Sequence, residues 1–311
     1  MFSPILMIVS LIISALTVPI FGKIAYKYNI VDKPNEGSKE YERITPYLGG
    51  LAIYLAVIVS TPFEIITKFS LTLLTIIGLV DDVKRIKQSL KLVVELFVAL
   101  ILTYKYIGFN WFFPLYIFLV VILINSVKMM DGMDGVCASV SIISSMGLSI
   151  LVSSRYDGML LSALIGAVFG YFIYNFPPAR ISMGSGGGYF VGGVLSIGLL
   201  STMRHGSSNI PYLISAFIFI SHFYFNLSTG LLRNILNKQP IFNNNGKYLY
   251  NKIYERFNDK RKTLYMVVSI QLLVFLLGYF SKTNVIASIS SLVILLVIYF
   301  MLGKVLNILK Y

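Results

Sequence analysis

Four carboxylates in this chain stand in two tight pairs. GLVDD at 78–82 places Asp81 beside Asp82, and MMDGMDG at 129–135 places Asp131 three residues before Asp134. Only 13 Asp and Glu occur among 311 residues, so this clustering is informative. Each pair stands at the end of a strongly apolar run, where a carboxylate is costly and usually marks a functional site. On a helical turn, Asp131 and Asp134 would share a face. Grouped hard oxygen donors suit Mg²⁺, which takes one or two protein carboxylates and completes its shell with water and substrate phosphate oxygens. Lys84, Arg85, Lys87 and Lys91 follow the first pair, where they would meet phosphate. One Asp–Asp at a helix end is ordinarily a solvated surface. Two such pairs at one boundary, each beside basic residues, argue for chemistry. The other acids read as ordinary charges: Asp32, Glu36, Glu40, Glu42, Glu255 and Asp259 in loops, Asp157 in a short outer loop, Glu64 and Glu95 near span ends.

The elements that must position these groups are membrane helices. The chain is 57% hydrophobic and 13% charged, with a mean hydropathy of +0.80. Repeated apolar runs of about 17–25 residues are the mark of transmembrane helices, and the period-2 alternation of a membrane β-barrel is absent. The expected fold is all-α: a polytopic integral membrane protein forming one domain over 1–311, with no internal repeat. About eleven spans are expected, at roughly 2–22, 47–62, 66–80, 91–107, 111–127, 136–153, 157–175, 187–202, 211–232, 264–280 and 285–303. The first lacks a basic n-region and a small-residue cleavage site, so it reads as a retained helix. Cys137 is the single cysteine, which excludes a disulfide within the chain.

Lys and Arg set the orientation. With the N-terminus outside and the C-terminus cytoplasmic, only Lys68, Lys105, Arg155, Arg204 and Lys282 of the 26 basic residues fall on the outer side. Both Asp pairs then lie at the cytoplasmic boundary of the plasma membrane. The formal net charge of +13 also faces inward, toward anionic lipids and anionic substrates. Basic residues spread over membrane-proximal loops do not make a nucleic-acid surface. The longest cytoplasmic segment, 233–262, holds a turn signal at NNNG (243–246) and a candidate interfacial amphipathic helix at IYERF.

MGSGGGYFVGG at 183–193 carries six glycines. Gly184, Gly188 and Gly192 are spaced by four, as are Gly166 and Gly170, which is the small-x-x-x-small spacing of closely packed membrane helices. A dinucleotide loop is unsupported, because the glycines do not fit G-x-G-x-x-G and no strand precedes them. The two histidines, His205 and His222, read as structural.

The order of motifs resembles that of the polyprenyl-phosphate N-acetylhexosamine-1-phosphate transferases, glycosyltransferase family 4. These membrane enzymes move a sugar-1-phosphate from a UDP-sugar to a polyprenyl phosphate and release UMP. The resemblance rests on DKPNE at 32–36, TP-x-x-GG-x-A at 45–52, GLVDD at 78–82, N-x-x-x-x-x-DG-x-DG at 125–135, NFPPARISMG at 175–184 and LLRNILNKQPIF at 231–242. It implies Mg²⁺ as cofactor, with Mn²⁺ as the substitute, and Asp81 and Asp82 as catalytic residues. It implies Lys91, Asn125, Lys128, Asp131, Asp134 and Arg233 on substrate, and Asp82, Asp131 and the position of Ser185 at the metal. Polyprenyl phosphate, a UDP-sugar and a second copy of the chain are the implied partners.

The chain also departs from that pattern. Ser185 stands where the family's MGDxGS stretch has Asp, Lys128 where it has a second Asn, and Gly37 where it has Arg. Asn226 replaces an Asp of the ninth span, while Asn245 and Tyr248 replace histidines of the last large loop. Three readings follow: a transferase that begins a lipid-linked surface polysaccharide or glycan, an inert paralogue that binds polyprenyl phosphate or a partner enzyme, or an ion-coupled transporter. The missing histidines point away from the peptidoglycan-precursor branch. The one-sided position of the Asp pairs and the missing inverted repeat disfavour transport.

Overall fold

The computed structural model describes residues 2–32, 45–206, 210–239 and 248–308. Each of the eleven expected segments coincides with a helix. These are α1 (Pro4–Lys27), α2 (Gly49–Ser60), α3 (Ile65–Val83), α4 (Gln88–Ile107), α5 (Phe113–Met130), α6 (Val136–Leu151), α7 (Arg155–Asn175), α8 (Gly184–Gly206), α9 (Ile210–Leu236), α11 (Lys260–Ser281) and α12 (Val285–Val305). A twelfth, α10 (Leu249–Phe257), occupies the stretch expected to hold an amphipathic helix. Among the described residues, seven helices are long and apolar enough to cross a membrane, and α2 and α6 are shorter apolar helices. The protein is thus an all-α, multi-pass membrane protein. Two antiparallel two-residue strands, β1 (Val31–Asp32) and β2 (Thr45–Pro46), pair Val31 with Pro46. Glu36, Gly37, Glu40 and Glu42, the NNNG turn with Asn245, and the side chains of Asp32 and His205 lie outside the described residues.

α8 is the axis of the bundle. It is buried along its apolar length and touches α2 to α7 and α9. The glycines make this crowding workable. A Cβ on Gly50 of α2 would lie 2.1 Å from the Gly187 Cα, so those two backbones are in direct contact. The Gly166–Gly170 pair does the same for α7 against the Met7 and Leu11 carbonyls of α1. Close approach of this kind drives helix association where lipid is as apolar as leucine.

The end of the bundle opposite the acidic pairs is joined by polar contacts. Asp157, expected in a loop, instead lies in the first turn of α7 and is 3% exposed. It accepts hydrogen bonds from Tyr106 Oη at 2.6 Å and Ser201 Oγ at 2.7 Å, tying α4 and α8 to α7. Beside it, Lys105 pairs with Glu64 at 2.5 Å and donates to Thr67. Replacing Asp157 by Ala strands two buried hydroxyls. The expected result is a loss of about 1–3 kcal/mol, read as a lower melting temperature in detergent.

Candidate active site

The opposite ends of α3, α4, α5 and α8 converge. α3 carries Asp81 and Asp82 in its last turn. α5 stops at Met130 and hands Asp131 to its C-cap. The expected shared helical face for Asp131 and Asp134 is not formed. Residues 131–135 are a turn, and Gly135 takes a left-handed φ of 76° before α6 begins. The two side chains therefore serve different neighbours.

Asp82 and Asp131 meet at the start of α8. Gly184 N–H donates to Asp131 Oδ2 at 3.1 Å, Ser185 N–H to Asp82 Oδ1 at 2.8 Å, and Gly186 N–H to Asp82 Oδ2 at 3.2 Å. These are N–H groups that the first turn of a helix leaves without intrahelical partners, and the positive end of the helix favours anions. Gly184 has φ 74°, and a Cβ there would meet the Tyr47 carbonyl at 2.4 Å and Asp82 Oδ2 at 2.7 Å, so this entry to α8 requires glycine. Ser182 Oγ also donates to Asp131 at 3.4 Å.

Burial pushes the Asp82 carboxyl, just beyond the 66–80 span, up to about 6, against the pull of the Ser185 and Gly186 N–H groups. Burial likewise pushes Asp131 up to about 8, opposed by the Gly184 N–H and reinforced by Asp82. A divalent cation bound between them would displace the remaining protons.

Asp81 points elsewhere. Both its oxygens accept from Lys91 Nζ, at 3.0 and 2.9 Å, and its Oδ1 also accepts from Ile86 N–H. Lys91, expected to meet phosphate, is thus held by an ion pair that is about nine-tenths buried. Ser185 Oγ lies 3.5 Å from Asp81 Oδ2. Lys84, Arg85 and Lys87 are exposed beyond the helix end.

Asp134 is 4% exposed and accepts from Ala179 N–H at 3.1 Å and Lys260 Nζ at 3.4 Å, which pins the 176–183 connection to the start of α11. Lys128 and Asn125 line α5 about one and two turns below Asp131. Asn125 donates to the carboxylate of Glu95 and to the Val121 carbonyl. Glu95, which reads in the sequence as a span-end charge, is 0% exposed inside the bundle and contacts Tyr189 of α8. Its spacing of four from Lys91 was the available signal. Lys128 is half-buried; it forms neither a hydrogen bond through its side chain nor an ion pair with Asp131.

Arg233 stands apart from this cluster. It lies within α9 and is 1% exposed, lining a small cleft with Met129, Gly230, Asn234 and Tyr248. Two departures from the family pattern meet here. Asn226 Oδ1 accepts from Leu249 N–H at 3.1 Å, and Tyr248, buried against Gly230, is the N-cap of α10. Position 226 thus ties the start of α10 to α9. His222 is buried and bonded to Gln271 at 3.1 Å, a structural contact between α9 and α11.

Among the described residues no three His, Cys, Asp or Glu side chains form a metal-sized group. Two carboxylates, Asp82 and Asp131, do share one locus on consecutive N–H groups of α8. That set fits a cation that brings water and phosphate oxygens with it, as Mg²⁺ does, and does not fit a closed all-protein cage.

Residues 64–203 match glycosyl transferase family 4. A probable undecaprenyl-phosphate N-acetylglucosaminyl 1-phosphate transferase of Bacillus subtilis is 29% identical over 265 residues, 75% of this chain and 73% of that protein. An undecaprenyl-phosphate alpha-N-acetylglucosaminyl 1-phosphate transferase of Thermotoga maritima is 24% identical over 87% of this chain and 88% of its own length. A phospho-N-acetylmuramoyl-pentapeptide-transferase of Halalkalibacterium halodurans is 27% identical over 61% of this chain and 70% of its own.

Proposed function

We propose that this chain, whose residues 64–203 match glycosyl transferase family 4, transfers an N-acetylhexosamine-1-phosphate, or a related sugar-1-phosphate, from a UDP-sugar to a polyprenyl phosphate. Eleven helices cross the plasma membrane, the N-terminus is outside, and the reaction takes place at the cytoplasmic face. The distribution of Lys and Arg supports that orientation. The observation that carries the reading is the junction of Asp82 and Asp131 on residues 184–186, with the Asp81–Lys91 pair beside it.

Such a reaction asks little covalent chemistry of the protein. A lipid phosphate oxygen forms a bond to the sugar-bearing phosphorus, the diphosphate bridge breaks, and its electron pair leaves with UMP. Catalysis is positioning and charge neutralisation. Mg²⁺, held by Asp82 and Asp131 with Ser185 as a weaker neutral oxygen beside them, would supply that neutralisation. Asp82 and Asp131 hold the entry of α8 rigid, and Lys91 keeps Asp81 turned toward α4.

The test is Mg²⁺-dependent UMP release from UDP-GlcNAc with undecaprenyl phosphate, comparing the chain with Ser185→Asp. Turnover is expected in both. The variant should reach half-maximal rate at roughly tenfold lower Mg²⁺, because a third carboxylate joins the locus. Absence of UMP release from a broad UDP-sugar panel would overturn the assignment. A second reading, an inert lipid-binding paralogue, is favoured by one feature: every Asp81 and Asp82 oxygen already has a partner in the fold. Rescue of a transferase-null strain by this chain would exclude it.

A further inference from the structure

All four acids of the cluster and one of its lysines already have partners, Asp131 through Gly184 N–H and Ser182 Oγ. Asp81 and Lys91 neutralise each other, Asp82 is bonded through both oxygens to α8, and Asp134 is bonded to Ala179 and Lys260. Lys128 is different. Among the described residues its ammonium has no hydrogen bond and no ion pair, yet it lies within electrostatic reach of Lys91, Asp81, Asp82, Glu95 and Asp131. An ammonium offers three donors and no acceptor, so this half-buried one has its donors open to solvent or to an anion.

The fold also fixes where this side chain runs. A Cβ on Gly188 would lie 2.8 Å from Lys128 Cα, 3.2 Å from Cβ and 3.5 Å from Cγ. The stem of Lys128 therefore lies directly on the second turn of α8, just past the N–H groups that hold Asp82 and Asp131. Behind it, Glu95 is fully buried, with one oxygen bonded to Asn125 and the other without a hydrogen bond. That carboxyl faces the ammonium's side of α5 without forming an ion pair with it. The half-buried cation of the cluster that no contact neutralises thus stands next to the two carboxylates assigned to the metal.

We propose that Lys128 is a phosphate-binding side chain whose ammonium takes a phosphate group of the ligand directly, so that binding, unlike transfer, survives removal of divalent metal. Lysine binds phosphate as a compact point charge. Both the diphosphate of a sugar nucleotide and the headgroup of a polyprenyl phosphate carry this chemistry. The choice of ligands rests on the transferase reading above.

The experiment measures binding of two probes, UDP and undecaprenyl phosphate, to the full chain in detergent. It compares Mg²⁺ with excess EDTA, and the unmodified chain with Lys128→Arg and Lys128→Gln. In EDTA the unmodified chain and Lys128→Arg are expected to bind at least one probe, and Lys128→Gln to bind it at least about tenfold more weakly, or about 1.4 kcal/mol. A loss confined to UDP places Lys128 at the nucleotide diphosphate. A loss confined to the lipid places it at the headgroup. Binding abolished by EDTA for both probes, or unchanged in Lys128→Gln, overturns the proposal. Lys128→Met, which keeps the apolar stem, replaces the Gln variant if that protein melts early. Failure of UMP release with Lys128-dependent binding intact would sink the transferase reading alone. UMP release with binding indifferent to Lys128 would sink this inference alone.

Discussion

Asp82→Asn is expected to lower UMP release on the order of 100-fold or more and to destabilise the protein even without substrate. The second effect follows from geometry. Asp82 accepts two N–H donors, from Ser185 and Gly186, one on each oxygen. Asparagine keeps one acceptor and turns a second donor toward the other N–H. One of the two buried amides is then unsatisfied, at about 1–3 kcal/mol, and the favourable charge at the start of α8 is lost as well. Both effects are separable in one preparation: the melting temperature without ligand reads the capping role, and the Mg²⁺ dependence of the residual rate reads the metal. An Asp82→Asn protein that melts like the unmodified chain would show that these two hydrogen bonds do not hold the entry of α8. One that turns over normally would remove Asp82 from the reaction.

The helices were legible in the sequence because a bilayer imposes length and apolarity on anything that crosses it. Eleven apolar runs became eleven helices, and the acidic pairs stood out against so few other charges. What each carboxylate touches was not legible. Apolar periodicity does not separate a face turned to lipid from one turned to protein, since both are apolar. Asp157 and Glu95 therefore read as peripheral although both are buried. Asp131 and Asp134 read as one helical face because their spacing fits a turn of helix, yet Gly132 and Gly135 open a tight turn there. Asn226 and Tyr248 read as separate losses from a pattern. Their common place at the start of α10 rests on a contact of Asn226 with Leu249, 23 positions apart, which spacing alone does not reveal.

The glycines give the largest expected effect on stability, and it differs sharply between positions. Gly50→Ala places a methyl 2.1 Å from the Gly187 Cα and 2.6 Å from the Met183 carbonyl. Neither neighbour is a side chain that can swing away. Relief requires α2 to move off α8, and α8 is the helix that carries residues 184–186 against Asp82 and Asp131. The cost should reach the upper end of overpacking effects, about 3 kcal/mol, with a melting temperature lower by about 5 °C or more. The shift should also loosen the Asp82–Asp131 junction proposed to hold Mg²⁺, so Mg²⁺ affinity is expected to fall together with stability. Gly303→Ala in α12 is the matched control. Nothing lies within 4 Å of a Cβ there, so the same substitution should be neutral or gain up to about 1 kcal/mol from helix propensity. If Gly50→Ala and Gly303→Ala melt alike, the direct backbone contact between α2 and α8 is not what holds the first turn of α8 in place. If they diverge as expected, the glycine-rich stretch at 183–193 is a packing device that lets neighbouring helices close around the acidic cluster.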